Sequence, residues 1–272
     1  MTANAIASLI ADSLEKAAPD IVQQWTASNG DHTRYFVVDD LLPSHLAHSI
    51  YQAFPSKAEG FHQRQSFRER KKTLTDLSKS SAILGQVTYA FQDPAVVGKI
   101  ADLVAIEGIA PDASLYAGGL SMMCQGDFLN PHIDNSHDGA RKLYRRLNLL
   151  YYVSPGWADE HGGSLELWNP DVSQGKAIAP LFNRLVVMET NKTSWHSVSA
   201  ITGSEPRCCV SNYYFSQQSP HGDEYFHVTS FSGRPEQPGL RMLGVVDNQV
   251  RNLVSRALRI GRGTRLVNTP KP

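Results

Sequence analysis

Between Ser114 and Phe215 the chain runs through six short β-rich stretches, and no other feature restricts its fold as strongly. SLYAGGLSMMC, RRLNLLYYV, GSLELW, RLVVMET, WHSVSAI and RCCVSNYYF follow one another, separated by turn clusters such as NSHDGA, SPGWADEHGG, NPDVSQG and TGSEP. Strands this short, punctuated by Gly, Pro, Asn and Asp, describe an all-β sandwich or jelly roll. They do not describe alternating βαβ units.

The flanks have a different texture. Ile6, Leu9, Ile10, Leu14 and Ala17 recur at helical spacing and predict a helix over residues 3–18. RYFVVDDLLP predicts a short strand from Tyr35 to Val38, closed by Pro43 and followed by a helix capped by Ser44. The basic stretch Gln63 to Lys72 (QRQSFRERKK) is weakly periodic and reads as a solvated loop. Val97, Ile100, Ala101 and Val104 predict a helix over Pro94 to Glu107. Beyond Phe215 the chain turns polar, until Val246, Val250, Leu253, Val254, Ala257 and Leu258 predict a last helix with an arginine-rich outer face. The expected organisation is one domain over residues 1–272, mainly β with flanking helices. Helical bracing over 1–113 and a C-terminal extension with a basic helix over 217–272 enclose a β core at 114–216.

Composition excludes several classes. With 41% hydrophobic and 19% charged residues the chain can bury a core, unlike a disordered one. No apolar run reaches the roughly 18 residues that a membrane-spanning helix needs. The opening MTANAIASLI lacks the basic start of a secretory signal. Cys124, Cys208 and Cys209 are too few for a disulfide framework, which points to a reduced, cytoplasmic setting. Twenty-six basic residues balance 26 acidic ones, which argues against a nucleic-acid partner bound through the overall field. The zero hides an asymmetry, because Arg234 to Pro272 carries eight basic and two acidic residues, leaving −6 on everything before it. A basic amphipathic helix can bind an acidic surface or a membrane interface. The arrangement expected here packs its Val/Leu face on the body and leaves its arginines in water.

The chemistry concentrates in GDFLNPHIDNS. His132 and Asp134 sit at i and i+2, so on a strand they share a face and offer an imidazole and a carboxylate. His196 in SWHSVSA, at the start of a separate predicted strand, is the natural third ligand. Two histidines and one carboxylate form the facial set used by non-haem Fe(II), with positions left open for a co-substrate and dioxygen. A second His-x-Asp, His221 and Asp223 with His227 close behind, falls in a polar stretch and reads as a surface loop. Arg207 opens the strand RCCVSNYYF, with Cys209, Ser211 and Tyr213 on its face. A guanidinium grips a carboxylate through two parallel hydrogen bonds and stays charged when buried, so inside a barrel it implies an acidic ligand or a buried acid. It could also be a rim arginine.

His132-x-Asp134, His196 and Arg207, in this order, resemble the motif set of the 2-oxoglutarate/Fe(II) dioxygenases, and within them the prolyl 4-hydroxylase-like branch. HIDN, the strand ending YYV, the pair Gly162-Gly163 before a strand, FNRLVV before the distal histidine, and RCCVSNYYF all follow that pattern, and RYFVVDDLLP echoes the segment preceding the core. The resemblance implies a double-stranded β-helix (jelly-roll, cupin-like) core in which His132, Asp134 and His196 hold iron. It implies that Arg207 binds the distal carboxylate of 2-oxoglutarate, assisted by Tyr152, with Asn148 and Ser211 on the same inner face. Tyr152 reads alternatively as a core aromatic. Where prolyl hydroxylases often carry a further co-substrate tyrosine, about ten residues before the first ligand, this sequence has Met122 and Met123. That departure loosens the carry-over of a prolyl substrate.

The reaction implied consumes 2-oxoglutarate and O2, releases succinate and CO2, and hydroxylates an unactivated C–H bond of a small metabolite or amino-acid-type substrate. A carboxylate at position 134, where related halogenases have a small residue, argues for hydroxylation; desaturation or cyclisation by diverted rebound is the variant. A peptidyl-prolyl hydroxylase is the alternative, and a non-catalytic jelly-roll binding module the second. Arg141, Tyr144, Arg145 and Trp195, near the ligands in sequence, are expected at the substrate entrance.

Overall fold

The computed structural model describes residues 1–27, 32–56 and 58–258. In chain order the elements are α1 (Ala3–Lys16), α2 (Ala18–Thr26), β1 (Tyr35–Val38), α3 (Ser44–Gln52), β2 (His62–Gln65), β3 (Glu69–Leu74), α4 (Ala82–Ala90), α5 (Pro94–Val104) and β4 (Ile109–Pro111). They continue with β5 (Gly119–Met123), β6 (Phe128–Ile133), β7 (Tyr144–Tyr152), β8 (Leu165–Trp168), β9 (Gly175–Ile178), β10 (Arg184–Glu189), β11 (His196–Val198), β12 (Arg207–Ser216), β13 (Ser230–Phe231) and α6 (Pro238–Leu258).

The strands form one antiparallel sheet in the order β1-β10-β7-β12-β5-β3-β6-β11-β8-β9, with β2 on β3, β4 on β12 and β13 on β6. Strand β3 is the hinge of this curl, pairing with β5 through Lys72, Thr73 and Leu74 and with β6 through Glu69 and Arg70. The sheet therefore folds over on itself as a half-barrel, the double-stranded β-helix expected, with one wall of β1, β10, β7, β12 and β5 and another of β6, β11, β8 and β9.

Period two decides what each wall faces. On β7, Leu147, Leu149 and Tyr151 point outward and pack with Val187 and Val210 under α1, α4 and α5, where they meet Ile6, Ile10, Leu14, Leu84, Val87 and Ile100. Tyr152, on the other face, joins Cys209, Val186, Met188, Leu165 and Leu167 inside the barrel. Burying one such aliphatic side chain is worth about 1.5–3 kcal/mol, so the helices are what makes an exposed apolar sheet face tolerable. Helix α5 begins where Asp93 accepts from the Ala95 N–H ahead of Pro94, and it ends at Ala105 in the left-handed conformation.

Three expectations are corrected. The basic stretch Gln63 to Lys72 is not a loop: it forms the β2–β3 hairpin, and its second strand joins the sheet because β5 and β6 leave open edges that it pairs. The segment before residue 114 thus contributes four strands as well as helices. Ser44 starts α3 without capping it, and its hydroxyl meets His48 Nδ1 instead.

The third correction concerns α6, which docks the opposite way round. Arg241, Gly244, Asp247, Asn248 and Arg251 face the body, while Met242, Leu243, Val245, Val246, Val250 and Leu253 face outward, each 55–70% exposed. The reason lies on the edge strand β13. Phe231 offers a free N–H and C=O, and Asn248 satisfies both, at 2.9 and 2.8 Å. A Cβ on Gly244 would stand 2.6 Å from the Phe231 carbonyl oxygen, so only glycine permits this approach. Arg68 pairs with Asp247, and Arg241 donates to the carbonyls of Asp171 and Val172. Val254, Ala257 and Leu258 of the predicted helix face lie outside the described side chains. No described helix is long and apolar enough to cross a membrane.

Candidate active site

Antiparallel register brings the two histidines together. His196 on β11 stands directly opposite His132 on β6, and their ring centroids are 4.0 Å apart. Each ring is oriented by its own backbone: Nδ1 of His132 meets the Asn130 carbonyl at 3.0 Å, and Nδ1 of His196 the Ser194 carbonyl at 2.9 Å. Nδ1 then carries the proton and Nε2 keeps its lone pair, the tautomer a metal ligand requires. Asp134 follows the end of β6. Its Oδ1 is 3.7 Å from His132 Nε2 and its Oδ2 is 3.8 Å from His196 Nε2. One donor atom from each of the three residues lies within 4.8 Å of the others.

Electrostatics prepares these groups. Burial, followed by the neighbouring His196, pushes His132 down to about 3, and burial also lowers His196. Both imidazoles are therefore neutral near pH 7. Burial alone would raise the Asp134 carboxyl, but Arg145, the two histidines and Lys71 hold it well below the usual carboxylate range. Arg145 Nη1 sits 3.0 Å from Asp134 Oδ2 as an ion pair whose geometry leaves Oδ2 with no hydrogen-bond partner. A buried carboxylate oxygen without a hydrogen bond, two free Nε2 lone pairs and a facial arrangement suit a mononuclear Fe(II).

Arg207 lies at the far end of the same interior. It is 3% exposed, its Nη2 donates to the Tyr152 hydroxyl at 3.0 Å, and its guanidinium covers the Tyr152 ring at 4.6 Å. Nη1 contacts Met123 Sδ at 3.5 Å, so the second methionine of the Met122-Met123 pair occupies the side of the guanidinium, while Met122 packs into the helix-side core. Arg207 Nε is buried without a partner, and no carboxylate stands within 4 Å among the described residues. A buried guanidinium is costly unless paired, so this one fits a carboxylate-bearing molecule such as 2-oxoglutarate. Room for it comes from Gly163, at φ +71°, whose added Cβ would lie 2.4 Å from Ile201 and 2.9 Å from Arg207 Cδ. Asn148 and Ser211 share the inner face with Tyr152 and Arg207, opposite Tyr213 and Leu150 respectively, and Asn148 Oδ1 is buried without a partner.

The four residues expected at the entrance part ways. Arg145 is 3% exposed against Asp134 and is no rim residue. A β-bulge re-aims it: Tyr214 pairs with Leu147 and Phe215 with Arg145, so Arg146 is an extra residue and the alternation reverses. Tyr144 and Arg141 join an aromatic cluster with His137, Tyr225 and Phe226. Trp195 is half-buried, and its carbonyl accepts from the Trp168 N–H at 2.9 Å, without a ring contact to that cluster among the described residues.

The sequence reading missed His227. His221 and Asp223 do lie in an exposed loop, with Asp223 on Lys192. A few residues on, however, the His227 N–H donates to Ser136 Oγ at 3.0 Å and its carbonyl accepts from the Ser136 N–H, which folds the segment back beside Asp134. The His227 ring stacks on Tyr225, and its Nε2 is buried without a hydrogen-bond partner. Nothing in the local periodicity signals this return.

The fold and the His-Asp-His set define a double-stranded β-helix built to hold a single metal ion. Residues 118–215 match the model of the 2OG-Fe(II) oxygenase superfamily. Mouse prolyl 3-hydroxylase OGFOD1 is 28% identical over 88 residues, 30% of this chain and 16% of that protein. The match thus spans about one sixth of that curated relative's length. Two solved structures share the fold. A prolyl hydroxylase from Trichoplax adhaerens, in complex with a hypoxia inducible factor oxygen degradation domain peptide fragment, gives a TM-score of 0.55 at 17% identity, covering 76% of this chain and 92% of that one. A Pseudomonas putida prolyl-4-hydroxylase gives 0.53 at 15% identity, covering 77% and 100%.

Proposed function

We propose that this chain is an Fe(II)- and 2-oxoglutarate-dependent dioxygenase that hydroxylates an unactivated C–H bond of a small metabolite or amino-acid-type substrate. The observation that carries the reading is one barrel interior holding both the His132–Asp134–His196 cluster and an unpaired buried guanidinium at Arg207. When bound, Fe(II) with 2-oxoglutarate supplies dioxygen activation and C–H oxidation, with succinate and CO2 as co-products.

The protein's own residues do the rest. His132, Asp134 and His196 would hold the metal, their free donor atoms set by the Nδ1–carbonyl bonds and by Arg145. Arg207 and the Tyr152 hydroxyl would bind the distal carboxylate of the co-substrate and fix its orientation. Met123, Trp157, Ile201 and Phe231 form an apolar cluster that excludes water from this end. The returning segment with Tyr225 and His227, together with Tyr144 and His137, would wall the substrate side.

The second reading, a peptidyl-prolyl hydroxylase, is favoured by the likeness to mouse prolyl 3-hydroxylase OGFOD1 and by the two prolyl hydroxylase folds. Met123 beside Arg207 favours the first. The test is direct. Anaerobic addition of Fe(II) and 2-oxoglutarate is expected to give a visible charge-transfer band, and admission of air to release succinate. Screening prolyl peptides against small hydroxylatable metabolites for accelerated succinate release separates the two readings. Unchanged succinate formation in His132→Ala or Asp134→Ala would overturn the site.

A further inference from the structure

Where the polar side of α6 meets the β2–β3 hairpin, basic side chains outnumber acidic ones. Glu69 is shared by Arg64, at 3.7 Å, and Lys71, at 3.2 Å. Asp247 is shared in the same way by Arg68 and, at 3.6 Å, by Arg251. Among the described residues no further carboxylate lies within 4 Å of these four cations, so the cluster keeps a surplus of two positive charges. Arg64 Nε, Arg68 Nε and Arg251 Nη1 are buried without a hydrogen-bond partner. The four side chains are still 21–28% exposed, so a solute can reach them. Holding like charges together is costly unless a group of opposite sign joins them.

The cluster borders the metal site. Lys72 and Leu74 pair with Met122 and Leu120 of the helix-packed core, so the alternate residues Glu69 and Lys71 point into the barrel. There the Lys71 ammonium acts electrostatically on His132, Asp134 and His196. Phe231 stacks on the His132 ring at 5.4 Å, and the Arg68 guanidinium covers that phenyl ring at 5.8 Å. The hairpin turn is tied to the same ligand. Asn130 donates from its backbone N–H to the Arg68 carbonyl and from Nδ2 to the Phe67 carbonyl, while its own carbonyl orients His132.

We propose that Arg64, Arg68, Lys71 and Arg251 form an oxyanion site, which seats a carboxylate or phosphate carried by the substrate of the proposed dioxygenase reaction. The role rests on that reaction; the binding site does not. Arginine forks match carboxylate and phosphate oxygens, and three of them with a lysine suit a group of one or two negative charges. 2-Oxoglutarate does not use this surplus, because its own charges go to the metal and to Arg207. A substrate anchored here by its acidic group is one ring away from His132, a reach that fits a small metabolite.

Inorganic phosphate is the probe, titrated calorimetrically into the full chain held anaerobically with Fe(II) and saturating 2-oxoglutarate, at an ionic strength fixed with sodium chloride. One saturable site is expected, with the charge-transfer band kept. Arg64→Gln combined with Arg251→Gln should weaken binding about tenfold or more, the worth of lost charge-assisted bonds. Asp247→Asn should tighten it about threefold or more by removing a repelling charge, a direction that a damaged fold does not give. In the succinate-release screen, matched pairs separate the two anions: a carboxylate against its primary amide, and a phosphate ester against its alcohol. The charged member of one pair is expected to accelerate release about tenfold more than its neutral partner, and to lose that advantage in the double variant. Phosphate that fails to saturate, bleaches the charge-transfer band or binds the double variant as tightly overturns the proposal. Neutral substrates that match or exceed their charged partners overturn it too. A chain that binds phosphate as expected yet releases no succinate contradicts the dioxygenase reading and leaves the oxyanion site standing.

Discussion

Arg145 Nη1 lies 3.0 Å from Asp134 Oδ2, and it reaches that position because Arg146 is an extra residue in β7. Without the bulge, the alternation that sends Leu147, Leu149 and Tyr151 to the helix-packed face would send Arg145 there too. The barrel would then hold a buried carboxylate without the guanidinium that contacts it. With the bulge, the carboxylate keeps its charge and a fixed orientation in the metal-free protein, so the site is organised before any ligand arrives.

Breaking this pair by Arg145→Met is expected to cost about 3–5 kcal/mol of metal-free stability at pH 7, because it strands a buried charge. The wild-type carboxyl is depressed by Arg145, so its stabilisation is present above the unfolded value of about 3.9 and is lost as pH falls below it. In the variant burial dominates and the shift reverses. The difference between the two proteins should therefore narrow as pH falls through about 4, as followed by urea denaturation.

The histidines set a separate pH dependence. Burial lowers His132, to about 3, and also His196, His137 and His227. A histidine depressed on folding binds its proton more readily when unfolded. Its contribution is therefore complete above about 6.5 and is lost as pH falls from there toward its folded value. For His132, metal-free protein is expected to lose up to about 1.4 kcal/mol per pH unit between pH 6.5 and 4, and the other three histidines add to the loss in the same direction. His132→Gln should flatten that slope measurably, and a slope unchanged by the substitution would contradict the assigned burial.

Gly163 makes space for the guanidinium, so Gly163→Ala is expected to act on co-substrate binding while sparing the metal. Its Cβ would collide with Ile201 and Arg207 Cδ, and φ +71° adds backbone strain. The requirement for 2-oxoglutarate in succinate release should rise about tenfold or more, a loss of about 1.4 kcal/mol. Co(II) affinity, read from its visible absorption, should stay within about threefold of wild type, since one disturbed hydrogen bond at the ligands would already cost about 0.5–1.5 kcal/mol.

Arg207 and Tyr152 can be ranked against each other. Tyr152→Phe removes one neutral donor, worth about 0.5–1.5 kcal/mol, so the apparent 2-oxoglutarate affinity should fall about two- to tenfold. Arg207→Ala removes charge-assisted bonds and should cost about 100-fold or more. Both measurements use titration of the anaerobic charge-transfer band, and equal effects would contradict the geometry in which Tyr152 supports the guanidinium.

Much of the site was legible because it depends on short-range pattern. His132 and Asp134 share a side through i, i+2 spacing, Arg207 opens a strand whose alternate residues face inward, and Gly162-Gly163 marks a turn that only glycine can make. The pairing of His196 with His132 is a register between strands 64 residues apart in number, and no local pattern encodes a register of that kind. His227 was illegible for a related reason: a polar loop carries no period, and its return to Ser136 is a long-range hydrogen bond.

The amino-acid sequence alone determined a barrel of short antiparallel strands under helices and the residues able to bind a metal and an acid, because each follows from a local repeat or a side chain's chemistry. Only the tertiary structure decided that Gln63 to Lys72 closes the sheet, that a bulge turns Arg145 onto Asp134, and that α6 docks by its polar face. Each of these rests on an unpaired backbone edge or a close approach supplied by a distant segment. Local periodicity records which residues share a face, and it is silent on what that face will meet.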